Sequence, residues 1–134
     1  MLRNIGAIVA GLVVGGLANM ALIGVNLALY PPPEGADLGN PEQLQAYVST
    51  LPAAAFFVSA AAHVAQAFLG GWVAARLSSS RPVLLAMVIG LLTVAATIYN
   101  FVELAAPTWT LVELPVQVLA AFLAGELERR RRQR

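Results

Sequence analysis

Residues 5–30 read IGAIVAGLVVGGLANMALIGVNLALY and contain no charged side chain. A helix that crosses a bilayer needs roughly 20 mainly apolar residues, so this stretch is long enough to cross. The apolar part of a cleaved signal peptide runs only about 7–15 residues and ends at a small-residue site. This run is longer and no A-x-A sequence closes it, so it reads as a retained span.

Three further stretches have the same character. His63 is the sole ionisable group between Leu51 and Ala75, and Pro82 to Val102 is uncharged. The fourth, Leu111 to Leu127, carries Glu113 and Glu126, so a re-entrant or interfacial helix is the alternative there. Composition agrees with four spans. Of the 134 residues 59% are hydrophobic and 11% charged, against about 25% charged in a soluble domain. Too few charges remain to coat a soluble fold. Cysteine is absent, which excludes disulfides and thiolate chemistry. A net charge of +1 gives no electrostatic case for a nucleic-acid partner.

The connections between spans are punctuated by proline. Tyr30-Pro-Pro-Pro-Glu-Gly stops the first helix, because proline lacks the N–H and clashes with the preceding turn. Ser78-Ser-Ser-Arg-Pro82 and the segment around Pro107 are short turns. Short turns make neighbouring helices antiparallel. The expected fold is all-α: an integral membrane four-helix bundle, up-down-up-down, forming a single domain over 1–134. Its spans are about 5–30, 51–77, 82–106 and 110–128, with a basic tail at 129–134.

All eight basic residues are arginine, and every one falls on one side of this arrangement. Glu34, Asp37 and Glu42 fall on the other. The positive-inside rule then places both termini in the cytoplasm and residues 31–50 outside, in a membrane of the bacterial inner type. Tyr30, Tyr47, Trp109 and Trp72 fall near span ends, where amphipathic rings prefer to sit. Within the outer loop, Asn40-Pro-Glu-Gln43 has the order of an N-cap followed by proline at the first helical position. Leu44, Tyr47, Val48 and Leu51 follow at helical spacing. A short interfacial helix is expected there.

Small and polar residues predict which faces turn inward, because helices in lipid associate through close packing and polar contacts. Gly11-x-x-x-Gly15 marks the packing face of the first span; homodimerisation is the rival use. Ser59, His63, Gln66 and Gly70 share a face of the second. Thr93, Thr97, Asn100 and Glu103 follow a slowly drifting face of the third, and Glu113, Gln117, Ala120 and Ala124 lie on the fourth. At about 1.5 Å per residue, His63 sits about 18 Å below the outer end of its helix. The other polar groups, Asn26, Ser59, Asn100, Glu103 and Glu113, lie in the outer half. Together with Gln66 and Gln117 they form a candidate binding pocket open to the outside. No polar path continues through the inner half.

Each ionisable group has an ordinary account as well. Thr110-Leu-Val-Glu113 has capping-box spacing, so Glu113 could simply satisfy the start of the fourth span. Glu103 can reach water from the end of its helix, and His63 can serve as a hydrogen-bonded packing residue. Two carboxylates and an imidazole also suit a proton, a cation or a hard metal ion, although their spacing matches no metal motif. No cofactor motif is present: phosphate-binding glycine loop, H-E-x-x-H and G-x-S-x-G are all missing. Ser59 and His63 are one turn apart, but no oxyanion hole or orienting acid can be assigned to make a nucleophile of the serine.

Two families of four-span proteins differ at decisive positions. Small multidrug-resistance transporters carry their key glutamate in the first span, where this chain has Asn19 and Asn26. Small fluoride channels have a glycine-rich stretch ending in Arg-Tyr near the start, which is missing here. The expected role is structural, or binding and assembly with another membrane protein, a lipid or a second copy of the chain. The alternative is a small transporter or ion-binding protein that uses the outer pocket.

Overall fold

The computed structural model describes residues 2–134, and every regular element among them is helical. The order is α1 (Leu2–Leu29), α2 (Pro41–Ser49), α3 (Ala53–Ala65), a π-helical turn (Gln66–Gly70), α4 (Gly71–Leu77), α5 (Pro82–Leu104), a 3-10 turn (Thr108–Val112) and α6 (Glu113–Arg132). Four helical stretches are long and apolar enough to cross a membrane: Leu2–Leu29, Ala53–Leu77, Pro82–Leu104 and Thr108–Arg132. In lipid a helix is favoured because it satisfies its own backbone polar groups.

The helix ends lie within a few residues of the expected spans, and α6 runs into the basic segment 129–134 as far as Arg132. Glu126 and Glu128 hold it in helical form. Arg129 and Arg130 pair with Glu126, and Arg131 and Arg132 with Glu128, at i,i+3 and i,i+4 spacing.

Side-chain capping defines α2. Asn40 is extended (φ −85°, ψ 121°) and its Oδ1 accepts from the backbone N–H groups of Glu42 and Gln43. Tyr47 and Val48 bury the inward face. The Tyr47 hydroxyl donates to the Tyr30 carbonyl, tying α2 to the end of α1. Burial pushes that phenol above its usual pKa. The C-terminus of α5 is closed by Ala105 in the left-handed region (φ 47°), just ahead of Pro107.

Small residues decide the packing. A Cβ on Gly11 would stand 2.6 Å from the Gly70 carbonyl oxygen, and one on Gly15 would stand 2.8 Å from the Gln66 carbonyl oxygen. The glycine pair thus lies against the π-helical turn inside the same chain. Arg3 reaches the Leu77 carbonyl at 3.1 Å, and Asn26 reaches that of Ala55. Contacts therefore climb α1 as they descend from α4 to α3. Likewise Val83 meets Gly125, Gly90 meets Ala121, and Thr97 meets Gln117.

The interior is built from Ala7, Ala67, Ala74, Ala121 and Ile89, all closely enclosed. Larger apolar side chains such as Leu17, Met20, Leu91, Leu119 and Phe122 point outward. A soluble domain puts its large hydrophobes inside; this arrangement suits a bundle whose solvent is lipid.

Candidate functional site

Towards the α2 end of the bundle lies a cavity of about 150 Å³. Its walls come from six helical elements of the chain. Ile23 of α1 and Val48 of α2 contribute apolar surface, as do Phe56 of α3 and Phe101 of α5. The polar groups are Ser59 and His63 of α3, Thr97 and Asn100 of α5, Thr110 of the 3-10 turn and Glu113 of α6.

At its centre His63 Nδ1 stands 3.0 Å from Glu113 Oε2. Both side chains are largely enclosed, so little competing solvent weakens the contact. The 3-10 turn aims the glutamate. Trp109 packs edge-on against Phe56, with ring centroids 6.0 Å apart, and tilted against Phe57 at 5.2 Å. That contact holds the entry to α6 against α3. The capping box expected at Thr110–Glu113 is not formed. The Thr110 hydroxyl donates to the Pro107 carbonyl at 2.7 Å, and α6 begins without a side-chain cap. A 3-10 turn uses three residues per turn, and the Glu113 carboxylate bonds across the bundle to His63.

The other expected pocket residues divide into three groups. Ser59 and Asn100 line the cavity with the pair. Asn26 and Gln117 flank it. Asn26 is 7% exposed, and its amide donates to the Ala55 carbonyl and to Ser59 Oγ, each at 3.1 Å. Its own Oδ1 has no hydrogen-bond partner. Gln117 is fully enclosed one turn below Glu113 and exchanges hydrogen bonds with Thr97 at 3.1 and 3.3 Å. Glu103 and Gln66 stand apart.

Glu103 is exposed and borders a separate hollow of about 190 Å³ with Leu38, Pro41 and Leu44. Asn100 and Leu104 border both spaces. The separation is geometric: each step of three from Thr97 to Asn100 to Glu103 falls about 60° short of a full turn. Gln66 opens the π-helical turn, with its carbonyl against Gly15, outside the cavity lining.

Chemically, the site is rich in acceptors. Glu113 offers a second carboxylate oxygen, and Ser59 and Asn100 further oxygens, while the unpartnered Asn26 Oδ1 lies outside the lining. Among the described residues no three His, Asp or Glu side chains converge to hold a metal ion. The Ser59 hydroxyl donates to the Ala55 carbonyl at 3.3 Å instead of engaging His63, so the serine is not set up as a nucleophile.

A second polar centre lies at the opposite end and was not expected from the sequence. Glu128 is 0% exposed. Arg131 grips it through two bonds of 2.8 Å, and Arg132 adds one of 2.9 Å. Arg132 Nη2 also donates to the carbonyls of Ala75, Arg76 and Ser78 at 2.7–3.1 Å. These include carbonyls that the end of α4 leaves without helical partners. The sequence signal was the ERRRR run, whose spacing supports i,i+3 and i,i+4 pairing; nothing in it pointed to Ala75.

No protein-family model, curated protein or solved structure matches the chain.

Proposed function

We propose that this is a multi-pass, up-down-up-down protein of a bacterial-type inner membrane, and that its cavity binds a proton or a small hydrogen-bond-donating cation. The arginine asymmetry supports cytoplasmic termini, and the opposed contact order of successive helices supports the topology. On that reading α2 lies at the outer interface above the cavity, with Val48 and Leu51 in its wall. One observation carries the binding role. A carboxylate and an imidazole meet at 3.0 Å inside an otherwise largely apolar cavity, at a depth where ionisable groups are costly.

Of the two roles expected from the sequence, this favours ion binding over a purely structural part. The site needs only reversible binding. Glu113 supplies a carboxylate, and His63 orients it through the 3.0 Å contact. Ser59 and Asn100 supply neutral oxygens. A role in assembly with lipid or another membrane protein draws support instead from the outward-facing apolar side chains.

The test uses the purified protein in a neutral detergent. Its thermal stability is followed with sodium, potassium, ammonium or methylammonium chloride across a pH series. Ammonium or methylammonium should raise the melting temperature of the wild type above its value in sodium or potassium, in competition with protons, and Glu113→Gln should abolish that difference. A wild type that responds identically to all four salts at every pH, as Glu113→Gln does, would falsify the binding role.

A further inference from the structure

We propose that the groove between α3 and α6 is a binding site for one anionic phospholipid of the arginine-side leaflet. The acyl chain lies in the groove and the phosphate against Arg76. This inference rests on the membrane-spanning arrangement but not on the His63 cavity.

The groove encloses about 510 Å³ and its walls carry no polar side chain. Ala61, Ala65 and Leu69 form one side, and Val116, Leu119 and Leu123 the other. The two alanines leave a channel between flanking large side chains. The first side leads on through the π-helical turn to Trp72 and Arg76, one turn apart on α4, and Arg76 lies 3.7 Å from Glu128 of α6, at the seam between the same two helical stretches. Thus an apolar channel leads to an aromatic ring and then to a guanidinium.

Its dimensions suit one leaflet. From Ala61 to Trp72 the helix rises about 16 Å, close to half of a hydrocarbon core of about 30 Å. Trp72 then lies where indole rings prefer to sit, at the edge of the headgroup layer. Arg76 rests 5.7 Å over that ring and is 48% exposed. Its nearest carboxylate oxygen, on Glu128, is 3.7 Å away, beyond hydrogen-bonding distance. The donors of Arg76 therefore remain available for a phosphate, which a guanidinium can grip with two parallel bonds.

Charge complementarity selects the kind of lipid. Arg76 and Arg129 to Arg132 give five positive charges around the two negative charges of Glu126 and Glu128, a local excess of three. The carboxylates hold the cluster in place without neutralising it. An anionic headgroup gains from that excess, and a zwitterionic one gains little.

Native mass spectrometry from detergent tests the site, with phosphatidylglycerol and phosphatidylcholine as probes. One phosphatidylglycerol should be retained per chain in preference to phosphatidylcholine. Arg76→Gln should cut that preference about fivefold, the ratio for ~1 kcal/mol per arginine near an anionic surface. Arg134→Gln, at the exposed chain end, should leave it unchanged. Ala65→Phe should lower retention of both lipids by filling the channel. Ala61→Phe, at an exposed position, should do the same if Ala65→Phe fails to fold. Equal losses for Arg76→Gln and Arg134→Gln would mean diffuse attraction and overturn the site. So would retention unaffected by the phenylalanines, or a dimer of the chain that the phenylalanines dissociate.

Discussion

His63 and Glu113 are fifty positions apart in the chain, yet their side chains meet at 3.0 Å across the bundle. The contact depends on α3 and α6 lying side by side and on the 3-10 turn that aims the glutamate. It turns two side chains that each have an ordinary account into one unit.

That unit predicts coupling. In a double-mutant cycle followed by thermal unfolding in detergent, His63→Ala and Glu113→Gln should be non-additive. Groups sharing a network couple by roughly 0.5–3 kcal/mol. Glu103→Gln combined with Glu113→Gln should be additive, because the two carboxylates border different spaces. The reverse pattern would mean that the glutamates share a site and the histidine does not.

Glycine substitutions should separate packed from lipid-facing positions on a single helix. Gly15→Leu drives a side chain into the Gln66 carbonyl and should cost about 1–3 kcal/mol, as overpacking does. A Cβ on Gly16 would meet nothing within 4 Å, and Gly16→Leu should change stability by no more than about 0.5 kcal/mol. Equal melting curves for the two variants would place α1 differently in the bundle.

At the other end, Arg132→Met should destabilise more than Arg130→Met. Arg132 ties the end of α4 and the buried Glu128 together. Arg130 makes one bond to Glu126 from a side chain that is 71% exposed. Hydrogen bonds involving a charged group contribute about 1.5–3 kcal/mol, against about 0–1 for an exposed ion pair. Chemical or thermal denaturation in detergent gives the comparison directly.

Topology can be read with single cysteines, since the chain has none. Glu34→Cys should react with a membrane-impermeant thiol reagent in intact cells, and Ser80→Cys only after the cells are opened. Both positions are exposed. They avoid the positive φ of Gly35 and the Asn4 contacts of Ser79, which a substitution would disturb. Labelling of Ser80→Cys alone would invert the orientation.

Much of the fold was legible along the chain because lipid imposes a simple rule. Uncharged runs at 5–30 and 82–102 can cross, and prolines after Tyr30 and before Val83 end or begin helices by removing a donor. Asn40 announced α2 because a cap is a local bond, made within three residues. The face carrying Ser59 and His63 was legible for the same reason, since spacing along one helix fixes direction.

Four apolar helices, a helix in the 31–50 loop and a polar half opposite an apolar one follow from the residues read in chain order. Backbone hydrogen bonding and side-chain transfer into lipid are set by local composition. Helix packing is what brings Glu113 to His63 and not to its own backbone, turns Glu103 to another hollow, and sets Arg132 against the end of α4. Those outcomes depend on how far each helix is rotated and which helix stands beside it. Rotation is set by glycine and alanine contacts such as Gly11 on Gly70 and Gly90 on Ala121, which join residues distant in the chain. A helix carries its polar face wherever close packing turns it, so the partner across the bundle is known only once the packing is complete.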